Sequence, residues 1–141
     1  MDHVVYVDAA SHELEKLIDG SKTIILRGAS GRKLPYGRVD KGDDLYFIRN
    51  NGEGLIQAKA TVNSVINSEK LTKEDSISLI DDHSEKLQLA DKQYKKFAGK
   101  RYLVLIEINK FEKVEPFSID RSSYGNMDDW LPVKEIISVV V

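Results

Sequence analysis

A run of apolar residues in the second half of the chain restricts the possible folds more than any other feature. Residues 102–111, YLVLIEINKF, begin with almost continuous apolar side chains. A strand with one face in water alternates apolar and polar residues, whereas a continuous apolar run indicates a strand that is covered on both faces. The sequence therefore predicts a sheet with packed layers on both sides of this strand.

The other elements are mainly further strands, separated by turns and a few short helices. Runs of β-branched and aromatic residues predict strands at residues 4–7, 23–27, 45–48, 55–66 and 136–141. Spacing and capping residues predict three helices: one capped by Ser11 and ended by Gly20, one capped by Thr72, and one over residues 92–98. This pattern indicates a mainly β fold with inserted helices. About six strands favour a closed or nearly closed barrel, because closure removes exposed strand edges; a flat open α+β sheet is the alternative.

Length and composition exclude several classes of protein. The chain has 141 residues, the size of one ordinary domain, so we expect a single domain over residues 1–141. It has no cysteine, and His3, His12 and His83 are too scattered to suggest a zinc site, so we expect no metal.

The N-terminus lacks a signal or transit pattern, and no apolar run reaches the roughly 18 residues of a membrane-spanning helix. We therefore expect a cytoplasmic protein without a membrane partner.

Positive charge is concentrated in one part of the chain. The formal net charge is −2, yet residues 22–38 hold five basic and no acidic residues, which leaves 16 basic and 23 acidic residues elsewhere. Such a stretch can attract an anion locally even in an acidic chain. The alternative is a solvated, flexible loop without a ligand. No phosphate-binding loop, dinucleotide fingerprint or nucleophile elbow is present, so the sequence predicts no cofactor.

Part of this basic stretch resembles a known motif. Gly20, Lys22 and Arg27 match, at the same intervals, the Gly-x-Lys-x-x-Glu-x-Arg motif of ASCH domains in the PUA-like superfamily. Ile25 stands where that family usually has glutamate. The chain is also similar to the family in the order of its elements, in its Gly42-Asp43 turn, and in the segments Ala60-Thr61-Val62 and Trp130-Leu131-Pro132. The resemblance therefore covers nearly the whole chain.

The resemblance implies a β-barrel with a cleft along the motif strand, proposed for the family as an RNA-binding or nucleotide-binding surface. Strand alternation then directs Ile24 and Leu26 into the barrel and Arg27 into the cleft. A guanidinium suits a phosphate or a base edge, lysine supplies a mobile charge, and a tyrosine ring can stack on a base. The predicted ligand-binding residues are Lys22, Arg27, Arg32, Lys33, Tyr36 and Arg38, with Tyr46 as a second candidate for stacking.

The same resemblance leaves catalysis as an alternative. Some relatives are amidohydrolases that act on N4-acetylcytidine through a lysine, a threonine and a glutamate, and others are ribonucleases. Lys22 matches the lysine, but Ile25 occupies the threonine position and can act neither as a nucleophile nor as an acid or base. The basic stretch offers no general base, although Glu53, Glu107 or His12 are candidates from other segments.

We therefore predict a non-catalytic RNA-binding or nucleotide-binding domain. A hydrolase that uses Lys22 and a protein-interaction module are the alternatives, and the oligomeric state stays open.

Overall fold

A six-stranded mixed sheet forms the frame of the molecule. The computed structural model describes residues 1–125 and 128–141. The strands are β1 (Asp2–Val7), β2 (Ile24–Ala29), β3 (Asp44–Arg49), β4 (Leu55–Asn67), β5 (Tyr102–Ser118) and β6 (Trp130–Lys134). Their order is β2-β5-β4-β3-β1-β6, with β1 and β3 parallel and the other neighbours antiparallel. The sheet curls into a half-barrel, which confirms the predicted mainly β, barrel-like fold of about six strands.

Short helices connect the strands. The helices are α1 (Glu13–Ile18), between β1 and β2, and α2 (Lys73–Asp82), α3 (Ser84–Leu87) and α4 (Asp91–Phe97), between β4 and β5. The predicted cap of α2 is confirmed, because the Thr72 hydroxyl accepts a hydrogen bond from the Asp75 N–H at 3.1 Å. α3 was not predicted, since a single turn is too short to show a helical repeat. Within the described residues, no helix combines the length and the apolar character that crossing a membrane requires.

The start of α1 differs from the prediction. Ser11 does not cap this helix, because its hydroxyl donates a hydrogen bond to Asp8 Oδ2 at 2.5 Å. His12 occupies the cap position with a φ of 55°, and its side chain makes no capping bond to a described residue. Glu13 Oε1 instead accepts the Asp8 N–H at 2.8 Å, which joins the first turn to the end of β1. The prediction was wrong because a nearby carboxylate competes for the serine hydroxyl.

The C-terminal segment also differs. The predicted strand at residues 136–141 is wrong: Ile136–Ser138 forms a 3-10 helix, and Val140 makes one isolated bridge with Ile119. The sixth strand comes earlier, at β6, and contains Pro132. Proline cannot donate a hydrogen bond to a neighbouring strand, but an edge strand tolerates it, and β6 is at the edge of the sheet. Val139 is buried and Ile136 packs against the same core, whereas Ile137, Val140 and Val141 are exposed.

Both faces of the first part of β5 are buried, as its apolar sequence predicts. Val104 and Ile106 enter the central core, to which β1, β2, β3, β4 and α1 also contribute. Leu103 and Leu105 enter a second core, which lies under α2, α3 and α4. None of these four side chains is more than 2% exposed. Full burial of one such side chain contributes about 1.5–3 kcal/mol, so both cores depend on this strand.

The two faces of β2 are reversed relative to the prediction. Alternation correctly separates Ile24 and Leu26 from Ile25 and Arg27. However, Ile25 enters the central core, whereas Ile24 and Leu26 pack under the helices in the second core. The prediction that Ile24 and Leu26 enter the barrel was wrong, because apolar residues occur on both faces of β2 and alternation does not say which face is inside.

Candidate functional site

Arg27 lies where the two margins of the half-barrel approach each other. β2 forms one margin, and β1 with the edge strand β6 forms the other. Arg27 Nη2 donates a hydrogen bond to Tyr6 O of β1 at 2.7 Å, and the guanidinium carbon lies 5.7 Å from the centre of the Trp130 ring of β6. The side chain is 10% exposed. Arg27 therefore connects the margins while keeping its charge largely inside the protein.

Arg27 also lines two adjoining cavities, of which the first is positively charged. The first cavity has a volume of about 80 Å³. Three cationic side chains line it, those of Arg27, Lys33 and Lys96, against the single carboxylate of Asp129. The cations come from three separate segments, namely β2, the loop that follows it and α4. Their formal charge exceeds that of the carboxylate by two, so an anion is favoured in this cavity.

The second cavity has balanced charges. It has a volume of about 140 Å³, and its charged lining residues are Arg27, Lys92, Lys96, Asp8, Glu13 and Asp129. Burial opposes ionisation of Asp8, but the Ser11 hydroxyl and the Lys92 ammonium group outweigh it and hold the pKa of Asp8 below its ordinary value. By formal charge the three carboxylates offset the three cations. This cavity is better suited to a neutral polar group than to an anion.

The guanidinium of Arg27 has unused hydrogen-bonding capacity. It carries five N–H groups, and two of them donate to Tyr6 O and Leu26 O. Nε makes no hydrogen bond within the described parts of the chain. Asp129 Oδ2 lies 3.5 Å from Nε, and the Asp129 side chain is half exposed. An anion that displaced this carboxylate would meet a planar fork of donors.

Aromatic side chains form one wall of the first cavity. The rings of Tyr36 and Tyr102 meet edge-on, with their centres 5.6 Å apart and their planes at 85°. The Arg32 guanidinium lies over both rings, 5.7 Å from the centre of Tyr36 and 5.6 Å from that of Tyr102. The Tyr36 hydroxyl donates a hydrogen bond to Ser68 O, which orients its ring. The wall thus presents planar groups of the kind on which bases stack.

Lys22 lies behind the cavities and lines neither of them. It is only 2% exposed, and its Nζ donates a hydrogen bond to Leu87 O of α3 at 2.7 Å. Burial lowers the pKa of Lys22 to about 8, although the Glu13 carboxylate opposes the shift. Glu13 Oε2 lies 3.7 Å from Nζ. Residues 22–38 contain no acidic residue, but carboxylates from other segments lie beside two of their cations. Glu13 lies beside Lys22, and Asp129 lies beside Arg27.

The remaining predicted residues lie at the first cavity or outside it. Lys33 and Tyr36 line the cavity with Arg27, and Arg32 covers its aromatic wall. Arg38 is exposed on the same loop but lines neither cavity. Outside the site, Gly20 shapes the turn after α1 with a φ of 80°, and Tyr46 packs against Phe117 with 6.5 Å between ring centres. The structure thus brings together four of the six predicted ligand-binding residues.

The candidate bases named from the sequence lie away from the two cavities. Glu107 accepts a hydrogen bond from Lys86 Nζ at 3.0 Å. Glu53 accepts one from the Asn51 side chain at 2.9 Å in the turn between β3 and β4, and His12 stands at the start of α1. Among residues 1–125 and 128–141, no three histidine, aspartate or glutamate side chains are grouped as metal ligands. The carboxylates at the cavities are those of Asp8, Glu13 and Asp129.

Sequence reasoning missed the parts of the site that come from distant segments. Lys96 and Phe97 of α4, Tyr102 of β5 and Asp129 complete the first cavity. A signal for α4 was present, because residues 92–101 hold five basic and no acidic residues. No local pattern marks Asp129, since its place beside Arg27 depends on the pairing of β6 with β1.

Comparison with known proteins finds similar solved structures but no matching family model or curated protein. The crystal structure of ASCH from Zymomonas mobilis matches with a TM-score of 0.66 and 13% identity over 99% of this chain and 96% of that one. Its Tyr-to-Phe variant matches with a TM-score of 0.69 and 12% identity over 99% of both chains. Its Ser-to-Ala variant matches with a TM-score of 0.70 and 12% identity over 97% of this chain and 92% of that one.

The chain has the ASCH fold. This fold was predicted from the motif and the order of elements, and the prediction is confirmed. Within this ASCH fold the three motif residues lie at different depths. Gly20 and Lys22 lie at the junction of α1 and β2, and Arg27 lines the two cavities. Of the three motif residues, only Arg27 therefore lines the candidate site.

Proposed function

We propose that this chain is a non-catalytic RNA-binding or nucleotide-binding domain. The first cavity takes one nucleotide of the ligand, with the phosphate against Arg27, Lys33 and Lys96 and the base against the wall formed by Tyr36 and Tyr102. The observation that carries the proposal is an excess of positive charge around a buried guanidinium with unused donors, next to aromatic rings. A nucleotide combines the two complementary features, an anionic phosphate and a planar base.

Stacking distinguishes this proposal from a site for inorganic phosphate. A base stacked on an aromatic side chain contributes about 1–3 kcal/mol, which corresponds to roughly 5- to 150-fold in affinity. We therefore expect uridine monophosphate to bind more tightly than inorganic phosphate. Isothermal titration calorimetry with both ligands measures the difference. Equal affinities would leave an anion site but would remove the argument for a nucleotide.

Single lysine substitutions in the first cavity test where the phosphate binds. Lys33→Ala and Lys96→Ala are each expected to raise the Kd for a short single-stranded RNA about tenfold, because a charge-assisted hydrogen bond contributes about 1.5–3 kcal/mol. Fluorescence anisotropy with labelled RNA gives the Kd. Lys113→Ala is the matched control, since this exposed lysine of β5 lines neither cavity. Equal Kd values in all three variants would contradict the proposed site.

Replacement of the Asp129 carboxylate is expected to change the Kd for RNA in the direction opposite to the lysine substitutions. Asp129→Asn removes the negative charge 3.5 Å from Arg27 Nε and keeps the shape of the side chain. We expect it to lower the Kd for RNA by roughly twofold to fivefold, the size expected for a half-exposed charge pair. The same anisotropy measurement detects this. A weaker complex would mean that Arg27 is not the group that receives the phosphate.

A hydrolase is the second candidate, favoured by the buried pair of Glu13 and Lys22. Glu13 lines the second cavity, is 3% exposed, and has its Oε2 3.7 Å from Lys22 Nζ. A buried carboxylate beside a lysine of lowered pKa can exchange protons with a bound substrate. Ile25 is fully buried in the central core, so it supplies no nucleophile and water would have to attack. The substrates to test are N4-acetylcytidine, from the ASCH resemblance, and RNA.

Turnover decides between binding and hydrolysis. Incubation of the protein with N4-acetylcytidine or RNA, followed by chromatography, measures the release of acetate and cytidine or of RNA fragments. A hydrolase would form one of these products, and Glu13→Gln would slow that step at least about 10²-fold, the usual contribution of a general acid or base. Absence of product with the unmodified chain would exclude this candidate and leave the binding proposal intact.

A further inference from the structure

A second basic segment lies next to the first cavity. Residues 92–101 carry five basic and no acidic residues, on α4 and on the turn that leads into β5. Lys96 lines the first cavity, whereas Lys95, Lys100 and Arg101 are exposed and line neither cavity. The cluster is therefore larger than the site described above, and three of its charges have no role in that site.

Strand pairing places this segment beside the loop that follows β2. Ala29 pairs with Tyr102 at the end of the ladder between β2 and β5. The chain that leaves β2 and the chain that enters β5 therefore run next to each other, which brings Arg101 beside the start of the loop that carries Arg32. The Arg32 guanidinium over the Tyr102 ring, at 5.6 Å, is a direct contact between the two segments.

α4 is held against the same end of the sheet. Phe97 packs on β2 at Gly28, where a Cβ atom would lie 3.3 Å from the Phe97 ring and 3.3 Å from Tyr102 O. The loop after β2, the last turn of α4 and the entry to β5 thus form one surface. We call it the outer basic surface, and its cationic residues are Arg32, Lys33, Lys95, Lys96, Lys100 and Arg101.

The charges of the outer basic surface are not neutralised within the described part of the chain. None of its six residues forms a salt bridge with a described carboxylate. Five cationic side chains elsewhere do form such bridges, those of Lys22, Arg27, Arg49, Lys59 and Lys86. All six are exposed. The positive potential on this face is therefore available to a partner.

We infer that the outer basic surface binds the backbone phosphates of a single-stranded polynucleotide, one nucleotide of which occupies the first cavity. This inference rests on the proposed function and names its ligand as a polymer. Cations spread over a surface beyond the cavity suit several phosphates spaced along a chain, whereas a mononucleotide would use the cavity alone.

Two features favour a single-stranded nucleic acid over an acidic peptide. The cationic surface is continuous with the aromatic wall of Tyr36 and Tyr102, and a base can stack there whereas a carboxylate side chain gains nothing from the rings. A base enters a cavity of this kind only when it is unpaired, which favours a single strand over a duplex.

The dependence of affinity on salt tests the inference. The Kd values of uridine monophosphate and hexauridylate are measured at several salt concentrations between about 50 and 200 mM. Hexauridylate is expected to bind more tightly and with a steeper plot of log Kd against log salt. In the double variant Lys95→Ala, Lys100→Ala the slope for hexauridylate is expected to fall by about 1.4, because each phosphate contact on a single strand contributes about 0.7. The Kd for uridine monophosphate is expected to stay the same, since neither lysine lines a cavity.

The control is the double variant Lys41→Ala, Lys113→Ala, which removes two exposed lysines from the turn before β3 and from the distal half of β5. It is expected to leave the slope for hexauridylate unchanged. Equal slopes in the two double variants, or hexaglutamate binding as tightly as hexauridylate, would overturn the inference while uridine monophosphate still bound. Failure of both nucleotide ligands to bind would overturn the proposed function itself.

Discussion

The buried imidazole of His3 has its protonation state set by its two hydrogen-bond partners. His3 is fully buried, with Nε2 2.9 Å from Asp43 Oδ2, and it receives a hydrogen bond at Nδ1 from Trp130 Nε1 at 3.1 Å. An indole N–H can only donate, so Nδ1 is unprotonated and the proton lies on Nε2, facing Asp43. The fold therefore holds His3 as one neutral tautomer, which links β1, β6 and the turn before β3.

The free energy of unfolding is expected to fall as the pH is lowered below about 6.5. Burial lowers the pKa of His3 from its ordinary value of 6.5 and outweighs the Asp43 carboxylate, which raises it. Below pH 6.5 the unfolded chain therefore binds a proton that the folded chain does not bind, so acid favours the unfolded state. One such group contributes at most about 1.4 kcal/mol per pH unit. Urea unfolding between about pH 7.5 and 5 measures the change.

The variant His3→Gln isolates the contribution of this one residue. A glutamine amide can donate to Asp43 and accept from Trp130, but it does not titrate. We expect the unfolding free energy of the variant to change less over the same pH range than that of the unmodified chain. If the unmodified chain became more stable on acidification, His3 and Asp43 would form a charged pair, and the assignment of a neutral tautomer would be wrong.

The packing of α4 on β2 depends on a single glycine. A Cβ atom at Gly28 would lie 2.8 Å from Leu103 Cδ2 and 3.3 Å from the Phe97 ring, and both of these side chains are buried. Gly28→Ala is therefore expected to lower the free energy of unfolding by about 1–3 kcal/mol, the usual effect of overpacking a core. It is also expected to weaken RNA binding, because Gly28 and Phe97 line the first cavity. Urea unfolding and fluorescence anisotropy measure the two effects.

Gly31→Ala is the matched control for this substitution. Gly31 lines the same cavity, but beyond its own chain neighbours no described atom lies within 4 Å of the Cβ position, and its φ is not positive. We expect its unfolding free energy to differ from that of the unmodified chain by less than about 0.5 kcal/mol. Equal destabilisation by both substitutions would mean that backbone freedom, and not contact with α4, makes glycine necessary in β2.

The same strand shows what an element's sequence does and does not predict. Alternation in β2 separates its side chains into two groups, and the structure keeps those groups apart. It does not say which group enters the central core, because both faces of β2 are covered, one by the sheet's interior and the other by helices. The orientation follows from the packing of Ile25 in the central core and of Ile24 and Leu26 under the helices. Local pattern thus gives the alternation, and tertiary contacts give its direction.

For the whole molecule, most elements with a local signal were predicted, and the candidate site was predicted in part. The buried strand β5 and the Thr72 cap each follow from residues close together in the sequence. The first cavity instead combines segments that are distant in the chain, such as Lys33 with Lys96 and Asp129. Arg27 was found because the ASCH motif marks its position. Lys96 and Asp129 were not found, because a single sequence does not show which strands pair.

The two roles of Arg27, one in the fold and one in the candidate site, limit how substitutions can change the ligand preference expected for this chain. Its guanidinium donates to a carbonyl of β1 and also lines both cavities, so under the proposed function a mutation there is expected to alter both stability and ligand binding. Lys33 and Lys96 line the first cavity without such a contact to the rest of the fold. Both are exposed, and neither forms a salt bridge within the described chain. Under the proposed function, a change in ligand preference is therefore expected to come from Lys33 and Lys96, while Arg27 stays constant.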